Sequence, residues 1–298
     1  MDETIDNFVE LEEAPIENEF AGEHAETIID GMLDTIEGNE SFAGGLTRSQ
    51  QYLKSVMETN GHSFHNVHGT EGVIDTIKGG FKKAWEALKK ALSAIWEWIT
   101  TSRANRQAKE IFATVERERK SADDMAKDYD GEANHESMQS RLKWIEELET
   151  MLDTKGKEAL AIANEVSGSI LEINKPLADS LKKISNKVGD TYGMADAYKT
   201  LKRPGDVAHT LNQMKEVTRK IEAEQTDVRI IKSLIDGVIS ETEKKADEFF
   251  AKRSLKILKP VARILDMFVL CSQRKLNAVE KLVKTTKVEK MFTKKAAA

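Results

Sequence analysis

The stretch TEGVIDTIKGGFKKAWEALKKALSAIWEWI, residues 70–99, decides how this chain is read. Its large apolar residues include Ile74, Ile77, Phe81, Trp85, Leu88, Leu92, Ile95 and Ile99. Their spacings of three and four put them on one face of a helix with 3.6 residues per turn. Lys78, Lys82, Lys83, Lys89 and Lys90 fall largely outside that face, as a helix with one wet side requires. One long helix is therefore expected here. It should continue, with a bend near 100–102, into RANRQAKEIFATVERERKSADDMAKDY.

The same period recurs downstream. DGEANHES (130–137) reads as a break. Leu142, Ile145, Leu148, Leu152 and Leu160 then mark a second long helix from about 136, with an interruption expected near TKGK. Val166, Ile170, Ile173, Leu177, Leu181, Ile184 and Val188 follow, and Pro176 is expected to kink that run by removing a hydrogen bond and crowding the turn before it. After a short helix and a turn at 203–206, Asp206 is expected to cap a third long helix carrying Leu211, Met214, Val217, Ile221, Val228, Ile231, Leu234, Ile235 and Val238. A last helix should span about 254–288 with Pro260 as a further kink, and the tail TKKAAA should fray. With only 4 Pro and 17 Gly in 298 residues, and strand signals almost absent, the fold class is all-α. The expected form is an elongated antiparallel bundle of three to four long helices.

Upstream of residue 72 the character changes. Residues 1–71 hold sixteen Asp and Glu against two basic residues, Arg48 and Lys54, a net of −14. The whole chain has 45 basic and 51 acidic residues, which leaves 43 against 35 in 72–298, a net of +8. A split of this size points to polyanion binding or to a removable acidic segment. Two domains follow: an acidic leader at 1–71 and a basic helical body at 72–298. In the leader, AETIIDGMLDTI offers a short amphipathic helix, and TRSQQYLKSVMETN another with Thr47 as N-cap. The leader as a whole is expected to be weakly structured, since acidic segments with few aromatics struggle to offset the entropy of ordering.

Several function classes find no support. The single cysteine, Cys271, lies in the apolar run ARILDMFVLC and reads as a small buried hydrophobe. One cysteine forms no internal disulfide, which fits a reducing cytoplasm. The acidic N-terminus is unlike a secretory signal, and no window has the ~20 apolar residues of a membrane span. IKGGFKKAW lacks the spacing and the preceding strand of a phosphate loop, and there is no HExxH or paired-cysteine zinc pattern. His62, His65 and His68 recur every three residues, but no cysteine or neighbouring carboxylate completes a metal site, so a solvated loop is the reading. Of the other histidines, His24 lies in the leader, and His135 and His209 are placed at helix ends. No enzyme and no cofactor are expected.

Trp85, Trp96 and Trp98 beside many lysines admit two readings. The helix packs its apolar face into the bundle, or it lies in a membrane interface. Packing is preferred because other helices also have apolar faces needing cover.

The border itself carries a motif. Gly69-Thr70-Glu71 has a small residue two places before a glutamate, and AGE (21–23) and GNE (38–40) have the same form. This resembles the small-X-Glu sequence cut by prohead proteases of large tailed bacteriophages. The arrangement of an acidic leader followed by a Lys/Trp helix, over residues 41–100 mainly, is similar to the internal head proteins of phiKZ-like phages. The resemblance implies a virion protein of the capsid interior, made in the host cytoplasm. Its partners would be the prohead protease, the head and core proteins, and packaged DNA. Glu71 would be the last leader residue and Gly72 the new N-terminus, with Glu40 and Glu23 as further cut sites.

Charge supports that direction by a separate route, since a cationic body gains from counterion release on phosphate contact. Candidate DNA-facing residues are Lys78, Lys82, Lys83, Lys89 and Lys90, with Lys284, Lys287, Lys290, Lys294 and Lys295 near the C-terminus. The leader would mask or compete for that basic surface. Rival expectations are a membrane-active ejection protein, a cellular helical adaptor or scaffold, and a host-directed inhibitor delivered with DNA.

Overall fold

The computed structural model describes residues 21–41, 44–64, 69–100, 102–128, 135–245 and 247–285. Among them the fold is all-α: ten helices and no strand. In chain order these are α1 (Ala21–Glu37), α2 (Arg48–Thr59), α3 (Gly69–Gly79), α4 (Phe81–Thr100), α5 (Ser102–Asp128), α6 (His135–Ile173), α7 (Lys175–Val188), α8 (Met194–Lys199), α9 (Pro204–Lys245) and α10 (Glu248–Thr285).

The arrangement follows from α10. Leu255, Ile257, Leu258, Val261, Ala262, Ile264, Leu265, Phe268, Val269, Cys271, Leu276, Val279, Leu282 and Val283 are all buried. Those positions take up more than half of the helix surface and leave one polar side, where Lys256 and Arg263 are exposed, so the broad apolar face needs cover from several helices at once. It packs against α1, α4, α5, α6, α7 and α9.

That enclosure corrects the expectation of a weakly structured leader over residues 21–64. Ala25, Ile28, Ile29 and Met32 of α1 are at 0% exposure, and α1 packs on α2, α4 and α10. Burying three large apolar side chains contributes roughly 5 kcal/mol or more, enough to hold a 17-residue helix that would be marginal alone. Residues 1–20 lie outside the described region. The leader's second helix begins as expected: Thr47 and Gln50 form a reciprocal capping box.

Four local expectations are revised. The helix read as continuous from Ile74 breaks between α3 and α4, where Gly80 lies against His62 and Met57. A Cβ on Gly80 would sit 2.7 Å from both side chains. No interruption occurs at TKGK, because Gly156 serves a helix crossing instead. A Cβ there would lie 2.6 Å from Gly189 Cα at the end of α7. Pro176 begins a helix rather than kinking one: Asn174 caps α7 by accepting from the Leu177 N–H at 3.0 Å, and a proline in the first turn lacks only an N–H that has no helical partner. Asp206 lies inside the first turn of α9, where its carboxylate accepts from the Lys202 and Arg203 N–H groups at 3.1 and 2.8 Å. Pro260 does stand inside α10. The bend expected at 100–102 falls between α4 and α5.

Candidate functional site

Leader meets body where α1 packs along α10. The apolar face of α1 looks into the core, so its acidic residues flank that contact. Asp30 accepts from Lys259 Nζ at 2.7 and 2.8 Å. Glu37 pairs with Lys252 at 2.9 Å and with Lys256 at 3.5 Å. Hydrogen bonding from Lys252, with the nearby lysine charges, holds the Glu37 carboxyl below its usual range. Burial pushes Glu26 up, against the pull of Arg263 and Lys259. On the opposite side of the same α10 stripe, Arg263 pairs with Glu158 of α6 at 2.7 Å and Arg253 pairs with Glu172. The result is a row of cations on α10 held between acids of α1 and acids of α6.

At the start of α1, the Gly22 N–H donates to Asp266 Oδ1 of α10 at 3.1 Å. Asp34, near the helix end, accepts from Thr47 Oγ1 at 2.7 Å and from Ser49 Oγ, joining α1 to the capped start of α2.

The three small-X-Glu triplets bracket these two helices. Glu23 is exposed in the first turn of α1, Glu40 is exposed in the connection to α2, and Glu71 is exposed in the first turn of α3. Gly69, at φ +76, opens α3 in a conformation suited to glycine. Gly72 is half-buried. Thr70 Oγ1 donates to the Gly44 carbonyl at 3.1 Å, tying the start of α3 to the connection that carries Glu40. Of the three, Glu40 alone lies in non-helical backbone.

The expected DNA-facing lysines are largely engaged within the fold. Lys89 pairs with Glu243 of α9 at 2.7 Å, Lys83 with Glu86 at 3.0 Å, and Lys90 Nζ donates to Asn60 Oδ1 at 3.2 Å. Lys284 pairs with Glu280 one turn away. Lys82 is exposed and Lys78 is half-buried. Lys287, Lys290, Lys294 and Lys295 lie outside the described residues. Trp85 and Trp96 are buried, each at 4% exposure, and the Trp98 side chain lies outside the described set. No helix among the described residues is long and apolar enough to cross a membrane. His62 stacks edge-on against Phe64, while His65 and His68 lie outside the described residues.

Two groupings were missed from sequence. One is the stripe Lys252, Lys256, Lys259 and Arg263, whose spacing of four, three and four was legible. The other is buried. Lys275 of α10 is at 0% exposure, and its Nζ donates to the Lys187 carbonyl at 2.8 Å. It lies 5.1 Å from the Tyr192 ring centre. Tyr192 OH donates to Glu224 Oε1, and Tyr192 itself holds φ +54, rare for a bulky residue. Burial pushes Glu224 up to about 7, with Lys275 and Lys187 opposing. Burial also lowers Lys275, with Glu224 opposing. A lysine four residues after Cys271 and four before Val279, on one helix face, was the available signal.

Comparison with protein-family models, with curated proteins and with solved structures gives no match to this chain.

Proposed function

We propose that this chain is a non-enzymatic structural protein of the head interior of a large tailed phage. It joins the prohead through its acidic leader, is trimmed by the prohead protease near Glu71, and is packaged with DNA. The observation that carries the reading is the charge split, −14 on residues 1–71 against +8 on 72–298. The ion pairs of Asp30 and Glu37 with lysines of α10 support it, because leader acids then occupy body cations. Exposure of Glu23, Glu40 and Glu71 at the flanks of α1 and α2 supports processing there. As architecture we propose an elongated antiparallel arrangement of the four long helices α5, α6, α9 and α10.

In this role the body binds DNA through phosphates, without sequence preference and with strong salt dependence. The test is mass spectrometry of the protein from mature particles. A species beginning at Gly72 is expected, and a full-length species beginning at Met1 refutes the processing. The membrane-active alternative gains no support from Trp85 and Trp96, which the fold covers.

A further inference from the structure

We infer that Lys252, Lys256 and Lys259 form a latent phosphate-contact surface on α10, whose charges the acids of α1 occupy, and that this cover of charge stays seated after a cut at Glu71. The inference rests on the proposed function for its DNA partner and on the geometry for the cover.

The three lysines stand at spacings of four and three, on one stripe about 10 Å long at 1.5 Å per residue. Their ion-pair partners are leader residues, Glu37 for Lys252 and Lys256 and Asp30 for Lys259. Arg253 and Arg263 differ, because Glu172 and Glu158 of α6 keep them paired whether or not the leader is present. Loss of α1 therefore frees three lysine charges in a row. Lysine ammoniums are compact point charges that serve phosphate without needing a fixed fork geometry, so duplex DNA, read through its backbone, is the partner they fit.

Cutting at Glu71 does not by itself achieve that loss. It severs the first turn of α3 and leaves the packing of α1 on α2, α4 and α10 in place, with Ala25, Ile28, Ile29 and Met32 at 0% exposure. The leader becomes a separate chain and remains docked. Glu40 lies between α1 and α2. A cut there divides the leader into two pieces with one helix each, and each piece then relies on its own contacts alone. Of the two cuts, only the one at Glu40 removes the covalent tie between α1 and α2, so release is expected after the double cut and not after the single one.

The experiment uses the full chain with a site-specific protease sequence inserted between Val67 and His68, and a second version with another such site beside Glu40. After the single cut, the leader fragment is expected to coelute with the body in gel filtration, and duplex DNA binding should match the uncut chain. After the double cut the fragments should separate. The slope of log K against log salt should then steepen by about 3, one for each freed cation. Changing Lys252, Lys256 and Lys259 together to Gln should abolish that steepening. In the uncut chain the same triple change should speed amide exchange of α1 without altering α9.

Separation after the single cut, or unchanged α1 exchange in the triple variant, overturns the cover. If the slope still steepens, the proposed function stands without it. A seated cover whose removal brings no steepening, with the freed body rebinding added leader fragment instead, overturns the DNA partner and the proposed function with it.

Discussion

Gly31 of α1 and Ser49 of α2 approach so closely that a Cβ on the glycine would lie 2.5 Å from the Ser49 carbonyl oxygen and 2.7 Å from Leu53 Cβ. Backbone atoms cannot swing aside, so Gly31→Ala should force the two leader helices apart. The expected cost is about 2–3 kcal/mol, in the upper part of the overpacking range. Gly168 in α6 and Gly237 in α9 provide the contrast, since a Cβ added at either would meet nothing within 4 Å. Alanine at either should stabilise by about 0.5–1 kcal/mol, because glycine is the poorer helix residue. Urea midpoints of the three variants check this. A Gly31→Ala midpoint that rises with the other two would show that the α1–α2 contact does not form.

The hydrogen bond from Gly22 to Asp266 predicts a pH dependence. Burial pushes Asp266 up to about 6, helped by the negative Glu23 and Glu26 and opposed by the Gly22 N–H and by Lys155 of α6. A carboxyl raised above its unfolded value contributes stability that is complete below about pH 4 and is lost as pH rises through about 6. Asp266→Asn keeps an acceptor for Gly22 and removes the titration. Between pH 4.5 and 7.5 the wild type should lose about 1 kcal/mol relative to Asp266→Asn, after allowance for the side chain's partial exposure. Parallel urea midpoints at the two pH values would contradict it.

Glu224 is expected to behave in the same direction and more strongly, because it is more deeply enclosed. Its carboxyl, pushed up to about 7 by burial, loses its contribution as pH climbs from about 4.5 to about 7. Glu224→Gln retains an acceptor for the Tyr192 hydroxyl. Its stability relative to wild type should improve by about 2 kcal/mol between pH 5 and pH 8. Lys275→Met tests the other partner. It leaves the Glu224 carboxylate without its strongest opposing charge, so its cost should be larger at pH 8 than at pH 5. Denaturant titrations at both pH values measure each change, and a cost for Lys275→Met that is equal at the two would remove the coupling.

These residues also show what the sequence could carry. The helical period at Ile74, Trp85, Leu88 and Ile95 was enough for an all-α fold, and all four are buried. Thr47, with Gln50 three positions on, was enough for the start of α2, because a cap is a local event. The seating of α1 is not local. It depends on the breadth of the apolar face of α10, and on Lys259 lying 229 positions from Asp30. Charge totals marked leader and body as opposites without revealing that the opposites touch. Pro176 and Gly156 were misread for a related reason: a proline that starts a helix and a glycine that admits a crossing backbone look, in sequence, like residues that end one. Lys89 and Lys90 looked solvent-facing until Glu243 and Asn60 arrived from elsewhere in the chain.

Cys271 gives a further test of how fully the apolar side of α10 is enclosed. It is at 0% exposure, and burial pushes its thiol up to about 11 against the pull of Lys275, Arg274 and Lys155. The thiolate is the reactive form. At pH 8 a thiol with that pKa holds roughly two hundredfold less thiolate than a free cysteine near 8.5, before access is considered. Alkylation of the native chain should therefore be slow and limited by opening of the helix cluster, and it should become fast in urea at the same midpoint as loss of helix signal. Cys271→Ala should cost only about 1 kcal/mol, since a small apolar side chain replaces another. Cys271→Ser should cost more, because the hydroxyl needs a partner in an apolar setting. Rapid labelling in native buffer would mean that the apolar side of α10 around Cys271 stands open.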